Sequence, residues 1–148
     1  MTIETTTNTA TQAIVNTDKS KVFLGDNETT TLTYTNTSGA EKTISRGLVF
    51  GQISATSLAL PLESDASDGS QYPYGILMNE TLTLAIGASA TVTLVTTGGV
   101  DEDKLIFENG TDTLATAISG KTLRARIGSD TVGVRLIKTI ENTRTDNQ

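Results

Sequence analysis

Apolar and polar side chains alternate along residues 28–35. Thr30, Leu32 and Tyr34 share one face of an extended strand, and the opposite face carries only threonines. Because successive side chains of a strand point to opposite faces, this period of two predicts a half-buried strand with a polar outer surface. Shorter apolar runs separated by glycine or polar residues predict further strands at 21–24, 42–53, 58–62, 72–78, 81–86, 91–95 and 131–140.

Turn-forming residues separate these predicted strands. Residues 25–27, Gly-Asp-Asn, are expected to end the first run, and residues 87–90 have the length of a hairpin loop between two paired strands. Gly47 and Gly51 interrupt the run at 42–53, which is typical of a bend or bulge. Residues 63–70 form a loop by composition.

One helix is predicted over residues 119–127. Ser119 is a suitable N-cap, Leu123 and Ile127 stand four residues apart on one face, and Gly128 is a typical helix stop. The Leu123/Ile127 face is expected to pack against the core.

Three further expectations complete this pattern. The acids at 101–103 precede an apolar cluster, which predicts one short helical turn. Arg124 and Arg126 are expected on or near the exposed face of the predicted helix. The central apolar positions are expected to be largely buried; they are Tyr74, Ile76, Leu82, Leu84, Val92, Leu94, Phe107, Leu123, Ile127, Val134 and Leu136.

Composition agrees with a β-rich fold. Threonine occurs 29 times among 148 residues and proline only twice, and β-branched side chains fit a pleated strand better than a helix. The length suits a single domain. We therefore expect a mainly β single domain, a small barrel or sandwich with one or two short helices, over residues 19–148.

Residues 1–18 differ from the rest of the chain. They are mostly Thr, Asn and Ala, with two acids and no base, and their apolar area is too small to offset the cost of ordering them. We expect a flexible N-terminal arm. A frayed terminus is one interpretation. The other is a partner-binding arm, since the segment has high β propensity and no Pro or Gly and could pair with an exposed sheet edge. Its candidate binding residues are Ile3, Thr5, Thr7, Thr9, Ala13, Ile14 and Val15.

The residue types present exclude several classes of chemistry. There is no His, Cys or Trp, so the chain has no Ser-His-Asp triad, no cysteine nucleophile and no imidazole or thiolate zinc site. The net charge is −6, and the basic residues are scattered, which disfavours nucleic-acid binding. No apolar run approaches the roughly 20 residues of a membrane span. We expect no enzymatic activity, cofactor, nucleic-acid partner or membrane.

Two acidic regions are the remaining candidates for a site. Asp65, Asp68 and Ser70 share one loop, and acids at 101–103 and 108 lie in another short region. Calcium prefers such oxygen ligands, but the spacing of an EF-hand is missing, and a solvated loop with Asx turns is favoured. A pair of carboxylates could also serve a glycosidase, although nothing in the sequence fixes two of them at a defined separation.

The segment Asp-Ala-Ser-Asp-Gly-Ser-Gln-Tyr-Pro-Tyr-Gly-Ile-Leu at 65–77 resembles the region before the central strand of head decoration proteins of tailed bacteriophages, the lambda-type family. The Thr/Val-rich strands that follow and the acidic turn at 101–107 extend this resemblance. Residues 122–134 and the ending 146–148 are similar to a closer group of phage head decoration or head fibre proteins.

The resemblance implies a structural virion protein without catalysis. Such proteins form homotrimers on the outside of an expanded capsid, bind the major capsid protein and clamp neighbouring coat subunits together. We therefore expect capsid stabilisation at the exterior of the virion. The first residues lack the basic and apolar regions of a signal peptide, so synthesis in the host cytoplasm is expected. The alternatives are a head fibre or spike module that displays a receptor-binding surface and, from another class, a carboxylate-based hydrolase.

Overall fold

The computed structural model describes residues 21–130 and 133–138. The predicted N-terminal arm and all seven of its candidate binding residues lie outside the described residues. The strands in chain order are β1 (Phe23–Thr35), β2 (Lys42–Ser45), β3 (Val49–Gln52), β4 (Ala59–Pro61), β5 (Pro73–Leu77), β6 (Thr81–Leu84), β7 (Ser89–Asp101), β8 (Ala117–Ile118), β9 (Lys121–Thr122) and β10 (Gly133–Ile137).

Five of these strands form a small barrel. They lie in the order β1-β4-β3-β5-β7, and β7 pairs back with β1 to close the ring. The other edge of β7 pairs with β5 in the antiparallel direction and, further along, with β10 in the parallel direction. A separate two-stranded ribbon, β2–β6, and the hairpin β8–β9 complete the sheets. The expected β-rich fold with a small barrel is confirmed.

The first strand is longer than its sequence pattern predicts. Residues 25–27 do not end it, because β1 continues through them as a bulge opposite Gly98 of β7. Gly98 has a φ of 126°, and a Cβ at this position would lie 2.6 Å from the Asp26 carbonyl oxygen. Only glycine fits at position 98 without strain. The bulge therefore depends on residues 25–27 of β1 and on a glycine opposite them in β7. The alternation of exposed and inward side chains at 30–34 is confirmed.

The predicted hairpin around residues 87–90 is also wrong. β6 pairs antiparallel with β2, whereas β7 pairs with β1, so the two strands belong to different sheets. The connection instead bonds to Asn36, whose backbone amide donates to Ala88 O at 2.9 Å and whose carbonyl accepts from Gly87 N at 2.8 Å. The buried Asn36 side chain donates to Leu84 O at 2.9 Å. These long-range hydrogen bonds to Asn36, rather than a hairpin between β6 and β7, fix the conformation of residues 84–88.

The predicted helix over 119–127 is replaced by shorter elements. Ser119 and Gly120 both have positive φ and form the turn of the β8–β9 hairpin. Thr122 is the actual N-cap, and α1 (Leu123–Ala125) passes into a π turn (Arg126–Asp130). The predicted turn after residue 101 is confirmed as a 3₁₀ turn over Glu102–Lys104. No helix in the described ranges is long and apolar enough to cross a bilayer.

Two hydrophobic clusters form the core. All five barrel strands contribute to the first, which we call the barrel cluster: Tyr34, Ile44, Leu48, Phe50, Ala59, Leu77, Leu84, Val92 and Leu94. The second, the outer cluster, lies between the outer face of β3, β5 and β7 and the segment at 105–127; its buried members are Val22, Val49, Leu62, Ile76, Val95, Val100, Ile118, Leu123, Ile127 and Val134. Consecutive residues such as Val49 and Phe50 enter different clusters, so both faces of this sheet are buried.

Most of the expected core is confirmed. Ile76, Leu84, Val92, Leu94, Leu123, Ile127 and Val134 are buried. The expectation was wrong for four positions that pack only at the margin of the clusters and stay half-buried: Tyr74, Leu82, Phe107 and Leu136.

Candidate functional site

The two described chain ends meet at one end of the barrel. Phe23 pairs with Val100 on one edge of β7, and Ile137 pairs with Asp101 on the other edge. The Asp101 amide also donates to Val22 O at 2.8 Å. We call this region, formed by the start of β1 and the ends of β7 and β10, the terminal end. The peptide chain therefore enters and leaves the described domain at the same place.

Charged side chains secure the terminal end. Buried Asp101 caps the 3₁₀ turn, since its Oδ1 accepts from Asp103 N at 3.1 Å. Arg124 donates to both oxygens of Glu102, at 2.6 and 2.9 Å. The Arg124 guanidinium, with a smaller contribution from the charge of Lys138, holds the pKa of the Glu102 carboxyl below its usual range. A guanidinium that donates to both carboxylate oxygens is a directional contact, and it ties α1 to the 3₁₀ turn beside the terminal end.

Arg126 does not lie on the exposed face that the sequence predicts. It is buried, its Nη2 donates to Ile118 O at 2.6 Å, and its guanidinium lies 4.8 Å from the centre of the Tyr72 ring. Arg126 follows α1 and opens the π turn, where its guanidinium contacts the end of β8 and the Tyr72 ring instead of solvent. Arg124 is exposed, as expected.

The acidic loops have structural roles. Asp68 accepts from Ser70 N at 2.9 Å and from its hydroxyl at 2.5 Å, which is the expected Asx-type turn, and these bonds hold the pKa of Asp68 below its usual range. Buried Asp112 accepts from Ser64 N at 2.9 Å and from Asn109 Nδ2 at 2.9 Å, which ties two loops together. In the ranges 21–130 and 133–138, no three acidic side chains are grouped as ligands for a metal ion.

The candidate binding residues within 1–18 lie outside the described residues, which begin at Lys21. Sequence reasoning missed that Val22 and Phe23, at the start of the described chain, lie across β7 from the end of β10, because this follows from long-range strand pairing.

Comparison with known proteins gives one family. The family model described as bacteriophage lambda head decoration protein D matches residues 16–127, which include all five barrel strands and the 3₁₀ turn. No curated protein matches the chain. The match confirms the resemblance drawn from residues 65–77. β10 lies beyond the matched range.

Proposed function

Because the chain belongs to the bacteriophage lambda head decoration protein D family, whose members are structural proteins that bind the exterior of the phage capsid, we propose that it stabilises contacts between neighbouring coat subunits. The family is not an enzyme family. Its partner is the major capsid protein, and the contact uses two parts of the chain: the folded domain, residues 19–148, and a flexible arm, residues 1–18.

The position of residue 21 at the terminal end is the observation that carries this proposal. Lys21 precedes Val22 and Phe23, which are hydrogen-bonded to the end of β7, so the chain before residue 21 leaves the described domain from this end. Residues 2–16, extended at roughly 3.3 Å per residue, reach on the order of 50 Å. That length is sufficient for the arm of a domain seated on one coat subunit to reach the next.

The arm binds by adding a strand to an exposed sheet edge of the coat protein. Its contact residues are Ile3, Thr5, Thr7, Thr9, Ala13, Ile14 and Val15. Ordering about fifteen backbone residues costs roughly 1–2 kcal/mol each, so main-chain pairing and burial of the three larger apolar side chains must offset that cost. Many copies on one capsid add many such contacts, which raises the barrier to rupture of the lattice.

The protein acts as a homotrimer. A closed ring of three copies matches a local threefold axis of a capsid. Sedimentation equilibrium is expected to give three chains per particle, or self-association only on the capsid. A stable dimer in solution would contradict this arrangement.

Deleting residues 2–16 tests the arm directly. The truncated protein is mixed with undecorated capsids, and the bound copies are counted. We expect folding and self-association as in the full chain but few bound copies, because the described core contains none of the deleted residues. Full occupancy by the truncated protein would contradict an arm-based contact.

Two double variants test whether the proposed contact residues of the arm bind the coat protein, rather than the arm in general. Ile14→Asp with Val15→Asp places two charges at proposed contact positions. Thr11→Asp with Asn16→Asp adds the same charge to neighbouring positions outside the contact set. We expect only the first pair to lower the number of bound copies strongly. Equal loss in both would indicate that charge alone weakens binding.

A further inference from the structure

A cavity of about 270 Å³ opens beside Tyr34, near the end of β1 opposite to the terminal end. A single water molecule needs on the order of 10–15 Å³ by the same measure, so the cavity admits a group much larger than water. Its walls combine an apolar side, formed by Leu60, Pro61 and Ala66, with charged side chains that include Glu63 and Asp68.

The Tyr34 hydroxyl is the first indication of a ligand. Tyr34 is 2% exposed and contributes to the cavity wall, and its ring packs edge-on against Phe50 with centres 5.7 Å apart. No residue within 21–130 or 133–138 hydrogen-bonds its hydroxyl. Burial raises the pKa of Tyr34, so the hydroxyl stays neutral. A buried hydroxyl without a partner has a lost hydrogen bond that a group in the cavity would restore.

The charge balance indicates the sign of the ligand. Glu108 is neutralised by an ion pair with Lys42. Glu63 and Asp68 have no ion pair with any described cation, and Asp68 uses only Oδ1 in its bonds to Ser70. Two exposed carboxylates therefore line the cavity without a positive partner in the described part of the chain. The grouping of acids does not suit a metal ion there.

The apolar wall indicates the shape of the ligand. Leu60, Pro61 and Ala66 offer a surface for methylene groups, while the carboxylates and the tyrosine oxygen accept hydrogen bonds. Arginine side chains bury an aliphatic stem and carry five N–H donors in a planar fork that can serve several acceptors at once. We propose that this cavity receives an arginine side chain presented by a partner protein. This contact is separate from the arm at the terminal end.

Titration with capped arginine tests the cavity without any capsid, so its outcome does not depend on the proposed function. The full chain is titrated with N-acetyl-arginine amide, and NMR follows the amide signals of residues 34, 63 and 68. N-acetyl-citrulline amide is the uncharged control of the same shape. We expect saturable shifts with arginine and none with citrulline. Equal shifts for the two probes, or a cavity that holds only water and gives no saturable shift, would overturn the proposal.

Variants locate the binding site. Glu63→Gln with Asp68→Asn is expected to weaken arginine binding at least tenfold, and Tyr34→Phe to weaken it several-fold while the protein keeps its fold. Asp65→Asn is the matched control, because it removes a charge from the same loop but does not line the cavity. Arginine binding that is unchanged in both cavity variants, or that is lost equally in the control, would contradict the proposed site.

Discussion

The barrel cluster and the outer cluster share one sheet but are enclosed in different ways. The barrel cluster is surrounded by strands joined through backbone ladders; the β1–β7 ladder is long, and the other barrel ladders have one to three residue pairs each. The outer cluster is covered by residues 105–127, whose regular elements are two strands of two residues and one helical turn. Polar side chains take the place of the ladders: Asp112, Arg126 and the Glu102–Arg124 pair fasten this cover. We infer that the barrel depends mainly on packing, and the cover on a few specific polar contacts.

The largest effect is expected in the barrel cluster. Leu94 is fully buried, so Leu94→Ala should lower the free energy of unfolding by about 2–5 kcal/mol, through lost burial and the cavity left behind. Urea unfolding followed by circular dichroism measures this change. Ile86→Ala is the control, because Ile86 is 64% exposed, and it should stay within about 0.5 kcal/mol of the wild type. An unchanged midpoint for Leu94→Ala would mean that the strand faces are assigned wrongly.

A smaller and more local effect is expected in the cover of the outer cluster. Asp112→Ala leaves the Ser64 amide and hydroxyl and the Asn109 amide without their acceptor, which should cost about 1–3 kcal/mol. Hydrogen exchange should show faster exchange at 105–127 than in β1 and β7. Exposed Asp65→Ala should leave both regions unchanged. Equal loss of protection from hydrogen exchange in the barrel strands and in residues 105–127 would contradict the inference that polar contacts hold only the cover.

The smallest effect concerns Arg124→Ala. Arg124 is half exposed and its pair with Glu102 is screened by water, so loss of the pair should lower the unfolding midpoint only slightly near neutral pH. The paired Glu102 has a lowered pKa, so this contribution is present above the ordinary pKa of 4.5 and is lost as the pH falls through the lower folded value. The unfolding midpoints of the wild type and of Arg124→Ala should therefore converge as the pH is lowered. A difference that grows on acidification would contradict the assigned pair.

The same two regions differ in how far their sequence predicts them. The barrel strands follow from local sequence, through the alternation at Thr30, Leu32 and Tyr34 in β1 and through short apolar runs in β3 and β5. The cover does not. Leu123 and Ile127 are buried as expected, but a single helical turn is enough to place both on one face. The positive φ angles of Ser119 and Gly120 form a hairpin turn where the sequence predicts the start of a longer helix. Pairing across the chain, which places β6 beside β2, is also invisible to local patterns.

The candidate site shows a similar division. The family could be inferred from residues 65–77, since that stretch carries specific local residues. The cavity beside Tyr34 could not be inferred, because it joins residues from β1, β2, β4 and three loops that only the folded chain brings together. The terminal end likewise depends on the pairing of β7 with both β1 and β10.

The thermal stability of decorated capsids tests the proposed stabilisation most directly. Genome-filled capsids without the protein, with the full chain and with the chain lacking residues 2–16 are heated, and released DNA is detected with a fluorescent dye. We predict that the full chain raises the release temperature in proportion to the copies bound, and that the truncated chain leaves it near that of bare capsids. Release at the same temperature from bare capsids and from capsids fully occupied by the full chain would contradict the proposal.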